Sequence, residues 1–353
     1  MSTPTIIYSA VGGKNDPMFG KFTHPIKALI ESEAINQEKQ KTILDVLFNI
    51  EKSNRYAETV MGESDFSTFK PKDEGADAEF DSVQKTYDKT IEHIEFAKEF
   101  VITRKMADDA KFGIGANIKS KPKKLVRAYY KTRVDIAAKA LINATSSNFT
   151  YNGKSVNLET GDLKPLFHKE HPYAIEGVTG TQSNYFWGDI SSTEEAFETA
   201  LNAIANKVRN FKDETKETMG YVEDVLIIPC NRPRLEMMAK RVCGSERATG
   251  TNNNDINTQY GNWTLVILDG WEATGDEIMV MSSEANENLL ANMFFNRVPL
   301  DIVADVDKHN RNYFWNGYCR FGLGFTTWKH MARCVNSTTE VTGTTALYPS
   351  ATA

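Results

Sequence analysis

The chain has 353 residues, 41% of them hydrophobic and 25% charged, with a formal net charge of −6 and an isoelectric point near 5.7. The length leaves room for two or three domains of ordinary size. The charge balance excludes a globally basic nucleic-acid binder, and no run approaches the roughly 20 apolar residues of a membrane-spanning helix. The opening MSTPTIIYSAVGGKNDP lacks the basic-then-apolar pattern of a signal peptide. Cys230, Cys243, Cys319 and Cys334 form no C-x-x-C pair; they read as reduced, mostly buried thiols.

Residues 1 to about 22 are punctuated by Gly12, Gly13, Pro17 and Gly20 and read as an irregular arm. Two short helices follow. One opens at His24-Pro25, where proline suits a first turn. The other carries Ile43, Leu44, Leu47 and Phe48 on one face. Residues 61–82 then hold seven acids against two lysines, with only Met61, Phe66, Phe69 and Phe80 as large apolar residues. That is the composition of a solvated loop. The next segment, KTYDKTIEHIEFAKEFVITRKM, alternates Ile94 and Phe96 with charges, which is strand patterning. Together these stretches predict a hairpin over about 56–103. A two-stranded arm is marginal in water by itself, so Phe66, Phe69, Phe80, Ile94 and Phe96 are expected to meet another surface, that of a second copy.

Gly113 and Gly115 suggest a phosphate loop, but no G-K-[ST] or third glycine follows and no βαβ unit precedes them. Residues 121–145 form a long helix with Leu125, Val126, Tyr129, Tyr130, Val134, Ala137, Ala138, Leu141 and Ile142 on one broad face. Its basic start, KSKPKK, reads as a solvated helix end, with an inter-subunit or phosphate contact as the functional alternative. Residues 148–192 are loops and short strands. They include FHKEHPY, where His168 and His171 stand three apart around Glu170. A zinc hydrolase helix needs H-E-x-x-H, and Pro172 biases His171 towards extended backbone. The stretch is expected to be a structured loop, with a metal-dependent hydrolase using His168, Glu170 and His171 as the enzymatic alternative.

An α/β rhythm begins at residue 193. Thr193 is placed to cap a helix over 193–213, with Glu194 and Glu195 in its first turn. VEDVLIIPC is a buried strand, and NRPRLEMMAKRV is a helix presenting Leu235, Met238, Ala239 and Val242. An asparagine-rich loop spans about 245–262, long enough to be functional. WTLVILDG, EIMVMSS, VPLDIVADVD and YFWNGYCRFGLGFTTW are strand-like, and the Ser/Thr/Ala-rich end is expected to add almost nothing to the core.

The order of these parts resembles the major capsid (major head) proteins of tailed bacteriophages, the HK97-like fold, over about residues 40–335. RYAETVMGESDFSTFKPKDEGADAEFDSVQKTYDKTIEHIEFAKEFVITRKMADD looks like that family's extended loop, the E-loop. LFHKEHPY looks like a segment of Mu-type and related major head subunits, and VLIIPCNRPRLEMMAKRV with NTQYGNWTLVILDG resembles the axial domain. The resemblance implies an α+β chain: an N-terminal arm with helices (1–54), the extended hairpin (55–104), a peripheral domain with a spine helix (105–192), an α/β axial domain (193–299), return strands (300–335) and a flexible tail (336–353). It implies self-assembly into hexamers and pentamers of an icosahedral head enclosing double-stranded DNA without sequence-specific binding, built in the host cytoplasm and resident in the virion. A separate scaffolding protein, a portal protein and a maturation protease are the implied partners, with no membrane. No catalytic residue, cofactor or metal is implied. Beside the hairpin residues, Asn252, Asn253 and Asn254 of the axial loop are expected at inter-subunit contacts. An encapsulin-like compartment shell is the alternative structural reading.

Overall fold

Two β-sheets, each with its own helices, organise the chain. The structure is a computed structural model that describes residues 6–11, 17–64, 66, 68–75, 77, 80, 83–109, 116–175, 177–246 and 256–348. In the first sheet, strand Asn292–Val306 pairs antiparallel with Tyr313–Phe325, which pairs antiparallel with Ile94–Ile102. The other edge of Asn292–Val306 takes two short parallel strands, Asn49–Lys52 and Ile7–Val11. Tyr313–Phe325 alternates buried and half-buried positions over most of its length, as a strand with one face on a core does.

Two helices cover the inner face of this sheet. Helix Pro17–Glu38 begins earlier than its sequence suggests. Phe19, Phe22, Ile26, Ile30 and Ala34 recur at helical spacing and are all buried, and the Phe19 ring lies 5.4 Å from Tyr313 and 5.7 Å from Trp315. Burial of that stripe outweighs the cost of Gly20, about 1 kcal/mol, and Pro25 lies inside the helix rather than at its start. The second predicted helix shrinks to Ile43–Leu47, started where the Asp45 carboxylate accepts the Thr42 N–H at 2.7 Å. Helix Ala116–Ile142 is the long one expected, displaced a few residues towards the N-terminus. At 1.5 Å rise per residue its length is about 40 Å, and Leu125, Val126, Tyr129, Ile136, Ala137, Ala140 and Leu141 are buried along it.

The second sheet has six strands in the order Thr264–Leu268, Val225–Pro229, Glu277–Met281, Met331–Asn336, Tyr185–Gly188 and Thr345–Ala346. Val225–Pro229 is buried at every position, as a central strand covered on both faces must be. It runs parallel to Thr264–Leu268, with helix Pro233–Gly244 in the connection. Helix Glu194–Arg209 starts at Thr193, whose hydroxyl accepts the Ala196 N–H at 3.0 Å, so the expected cap is present.

The last strand corrects the picture of a tail without a core. Thr345–Ala346 pairs with Phe186–Trp187, the Leu347 N–H donates to the Trp187 carbonyl at 2.9 Å, and the Leu347 side chain is buried. Polar side chains tie the two sheets together. Asn292, at the start of its strand, donates to the Leu47 carbonyl at 2.9 Å, and its Oδ1 lies 2.8 Å from His330 Nε2. Arg333 donates to the Ile142 carbonyl at 3.1 Å, satisfying one of the last acceptors of the long helix.

Candidate assembly surface

The predicted hairpin is real but shorter than its sequence suggests. Ala57–Glu63 pairs antiparallel with Lys85–Glu92, with a register irregularity between Met61 and Glu63. The Ser64 N–H donates to the Gln84 carbonyl at 2.9 Å, and the Ser64 hydroxyl accepts the Gln84 N–H at 3.0 Å. At His93 the chain leaves the hairpin, and Ile94–Ile102 joins the five-stranded sheet. Beyond Ser64, Phe66, Phe69 and Phe80 are 69%, 105% and 90% exposed. Three bare phenylalanines on one excursion forgo apolar burial worth roughly 1.5–3 kcal/mol each, and such patches mark interaction sites.

The root of the hairpin is fastened to the chain's own body. Strand Lys85–Glu92 passes so close to Tyr313–Phe325 that a Cβ at Gly322 would lie 2.6 Å from the Glu92 carbonyl oxygen, and one at Gly324 would lie 2.8 Å from Ile91. At Gly161 a Cβ would fall 2.7 Å from that of Tyr87. The glycines of RFGLGF are therefore a seat for the crossing strand. Ile91 is buried with Met293 and Phe295. The Tyr87 hydroxyl donates to the Tyr173 carbonyl and Lys89 Nζ to Asn157 Oδ1, both at 3.0 Å. Burial pulls the Lys89 ammonium below its ordinary pKa. At the departure point His93 Nε2 lies 2.9 Å from the Ser53 hydroxyl, which donates to Glu58 at 2.7 Å. Burial, with Arg320 second, lowers the His93 pKa. In the tip itself the Thr68 N–H donates to a Glu217 carboxylate oxygen at 3.1 Å.

Phe66, Phe69 and Phe80 thus stand exposed. Ile94 and Phe96 do not share that surface. Ile94 faces Phe321 across the ladder and packs on the main core. Phe96 stacks on Phe321 at 4.7 Å and meets Tyr151 edge-on at 6.2 Å. Alternation in the sequence marks a buried face but does not say which surface buries it, and here the chain's own sheet does. Asn252, Asn253 and Asn254, like Gly113 and Gly115, lie outside the described residues. The end of the asparagine-rich loop is pinned: Asn257 donates to the Ser245 carbonyl at 2.8 Å, and Gln259 accepts the Trp263 indole N–H at 2.7 Å.

The histidines of FHKEHPY enter an internal polar network. His171 is buried, with Nδ1 2.7 Å from Asp162 Oδ2, Nε2 3.2 Å from Asn184 Oδ1, and its ring stacked on Trp328 at 4.4 Å. Burial pushes the Asp162 carboxyl up, but the His171 contact and further hydrogen bonds outweigh it and leave the pKa below the ordinary value. His168 Nδ1 accepts the Glu170 N–H at 3.0 Å. Both ring nitrogens of His171 are engaged, and among the described residues no group of three or more His, Cys, Asp or Glu could hold a metal ion. Burial pushes the Cys243 thiol up to about 11 and those of Cys319 and Cys334 up to about 12, which leaves them protonated and poorly nucleophilic. The described residues also contain no helix long and apolar enough to cross a membrane.

No protein-family model and no curated protein matches the sequence. The fold has matches among solved structures. A chain of the structure of Mycobacterium phage Patience aligns over 97% of this chain and 95% of its own, with a TM-score of 0.51 at 13% identity. The chain shares the fold of that phage chain. Lower-scoring likenesses are to a chain in the capsid of an empty GTA particle (TM-score 0.48, 12% identity, 83% and 89% covered) and to one in the mature capsid of bacteriophage PhiM1 (TM-score 0.48, 9% identity, 83% and 86% covered). The fold assignment rests on the first.

Proposed function

We propose that this chain is a major capsid protein of the HK97-like fold, a non-catalytic subunit that assembles through hexamers and pentamers into the icosahedral head of a tailed phage or prophage. The observation that carries the proposal is a fold shared, over nearly the whole length of both chains, with a phage chain. The exposed, acidic, phenylalanine-bearing hairpin adds a feature that a solitary protein has no use for. In this reading Ala57–Glu92 is the E-loop and Ala116–Ile142 the spine helix. Helix Ala116–Ile142 belongs to the peripheral domain, and strands Val225–Pro229, Thr264–Leu268 and Glu277–Met281 of the six-stranded sheet to the axial domain. The LFHKEHPY segment carries the kinship with Mu-type head subunits.

Each subunit contributes several modest contacts that are repeated around a closed shell, and repetition converts weak contacts into a stable particle. A chain of net charge −6 holds double-stranded DNA by enclosing it, not by phosphate affinity. Scaffolding, portal and protease partners complete the assembly in the host cytoplasm, and the mature product resides in the virion. Sedimentation of the purified protein tests the proposal. A capsid subunit gives particles of megadalton mass, alone or with its scaffold; a protein that sediments as the 39.6 kDa chain in both preparations contradicts it.

A further inference from the structure

A cavity of roughly 620 Å³ opens at the root of the hairpin, between strand Lys85–Glu92, the short strand Lys154–Asn157 and strand Tyr313–Phe325. Of the basic residues described in its lining, Lys89, His93 and Arg320 are buried or half-buried and Lys154 is exposed, whereas the lining carboxylates Glu92 and Glu95 are exposed. Lys89 is only 7% exposed. Its Nζ donates to Asn157 Oδ1 at 3.0 Å and makes no ion pair among the described residues. The Arg320 guanidinium lies over the Tyr56 ring at 5.3 Å and approaches a carboxylate oxygen, that of Glu95, only at 3.9 Å. Its buried Nε has no hydrogen-bond partner among the described residues. At His93 the Ser53 hydroxyl gives its hydrogen to Glu58, so Nε2 donates to Ser53, and the buried Nδ1 has no partner among the described residues.

Buried polar groups normally find partners, and a buried charge needs a counter-ion. The surrounding carboxylates do not supply one. Lys89 and Ile91 take the buried face of their strand and Glu92 the exposed one. Glu95 also accepts the Tyr318 hydroxyl. Glu159 acts on Lys89 from outside the lining without an ion pair, and Glu58 is engaged by Ser53. Arg297, also near His93, adds to the positive side. Burial lowers the pKa of both Lys89 and His93, the direction expected of bases that lack an anion.

We propose that this cavity binds an oxyanion of the phosphate class, held between Lys89 and Arg320 with Lys154 at its edge. An ammonium and a guanidinium fork together suit an anion with several acceptor oxygens. The cavity has the size of a small-molecule pocket and the exposed Tyr56 ring lines it, so it has room for a small phosphate ester as well as for the free ion. Bound there, the anion bridges Lys89 of the hairpin to Arg320 of the five-stranded sheet and fastens the hairpin root. The site does not depend on whether the chain forms shells.

Isothermal titration calorimetry of the full chain near neutral pH, with the probe replacing chloride at constant ionic strength, tests the proposal. The probes are inorganic phosphate and phenyl phosphate. Saturable binding is expected; equal affinity for both marks the free ion as the source, and tighter phenyl phosphate marks an ester. Lys89→Met and Arg320→Gln are expected to weaken binding roughly tenfold or more. Lys154→Met alters only an exposed side chain, leaves the core untouched, and is expected to weaken binding about threefold. Lys98→Met, exposed and outside the cavity lining, should keep the parent affinity. Circular dichroism reports that each variant is folded. No saturable binding of either probe by the parent chain, or binding that folded Lys89→Met, Arg320→Gln and Lys154→Met leave at the parent value, overturns the site.

Discussion

Gly324 faces Ile91 where the hairpin strand crosses the five-stranded sheet, and a Cβ on that glycine would sit 2.8 Å from the isoleucine side chain. The contact sets how closely the hairpin root lies on the body, and so where the exposed tip is carried. Gly324→Val is expected to lift the root and cost about 1–3 kcal/mol through overpacking. Thermal unfolding should show a lower Tm, and the paired Gly324→Val, Ile91→Ala chain should regain part of the loss. No recovery in the pair would mean that the close approach is not what fixes the hairpin.

Phenylalanines on the two sides of His93 are expected to behave in opposite ways. Phe96→Ala removes a ring stacked on Phe321 and should cost about 2–4 kcal/mol of stability. Phe69→Ala and Phe80→Ala remove fully exposed rings and should change stability by less than about 0.5 kcal/mol while reducing assembly. Urea unfolding with sedimentation of the same variants separates the two effects.

Truncation after residue 340 removes the Thr345–Ala346 strand and buried Leu347. Loss of one buried leucine and its ladder bonds should destabilise by about 2–4 kcal/mol. The truncated chain should melt earlier and expose Trp187 to fluorescence quenchers; an unchanged Tm would mean that the tail adds nothing to the core.

Two buried groups should shape the pH dependence of stability in opposite directions. The Glu223 carboxyl is buried and receives no hydrogen bond from any other residue among those described, and burial pushes its pKa from 4.5 up to about 8. Between those values the folded state holds a proton that the unfolded state releases, so stability falls as pH rises from 4.5 to 8. His330, wholly buried, is pulled by burial from 6.5 to about 3. Here the unfolded state takes up the proton, so stability falls as pH drops below 6.5. Glu223→Gln should remove a fall of a few kcal/mol in unfolding free energy between pH 4.5 and 8, read by urea unfolding at each pH, and leave the slope below pH 4.5 unchanged. A parallel shift of the whole profile would contradict the assignment.

Much of the fold can be read where a periodic signal meets a local cap or a composition change. Thr193 ahead of an amphipathic run marks helix Glu194–Arg209, and the continuous apolar run of VLIIP marks a central strand. The excess of acid in residues 61–82 marks the exposed tip. What escaped depends on distant partners. Helix Pro17–Glu38 is hidden behind Gly20 and Pro25 until Tyr313 and Trp315 are seen to bury Phe19. Ile94 and Phe96 carry a strand pattern that fits a neighbour as well as the chain's own sheet, and only the pairing with Phe321 decides between them. Gly322 and Gly324 read as weak points in a strand until the crossing hairpin gives them a purpose.

Electron microscopy of the chain, expressed alone and then with its neighbouring genes, is the most direct test of the shell-forming role. The account predicts closed shells or tubes tens of nanometres across in at least one preparation, with five- and six-fold clusters on their surface. Uniform small particles in both would contradict it.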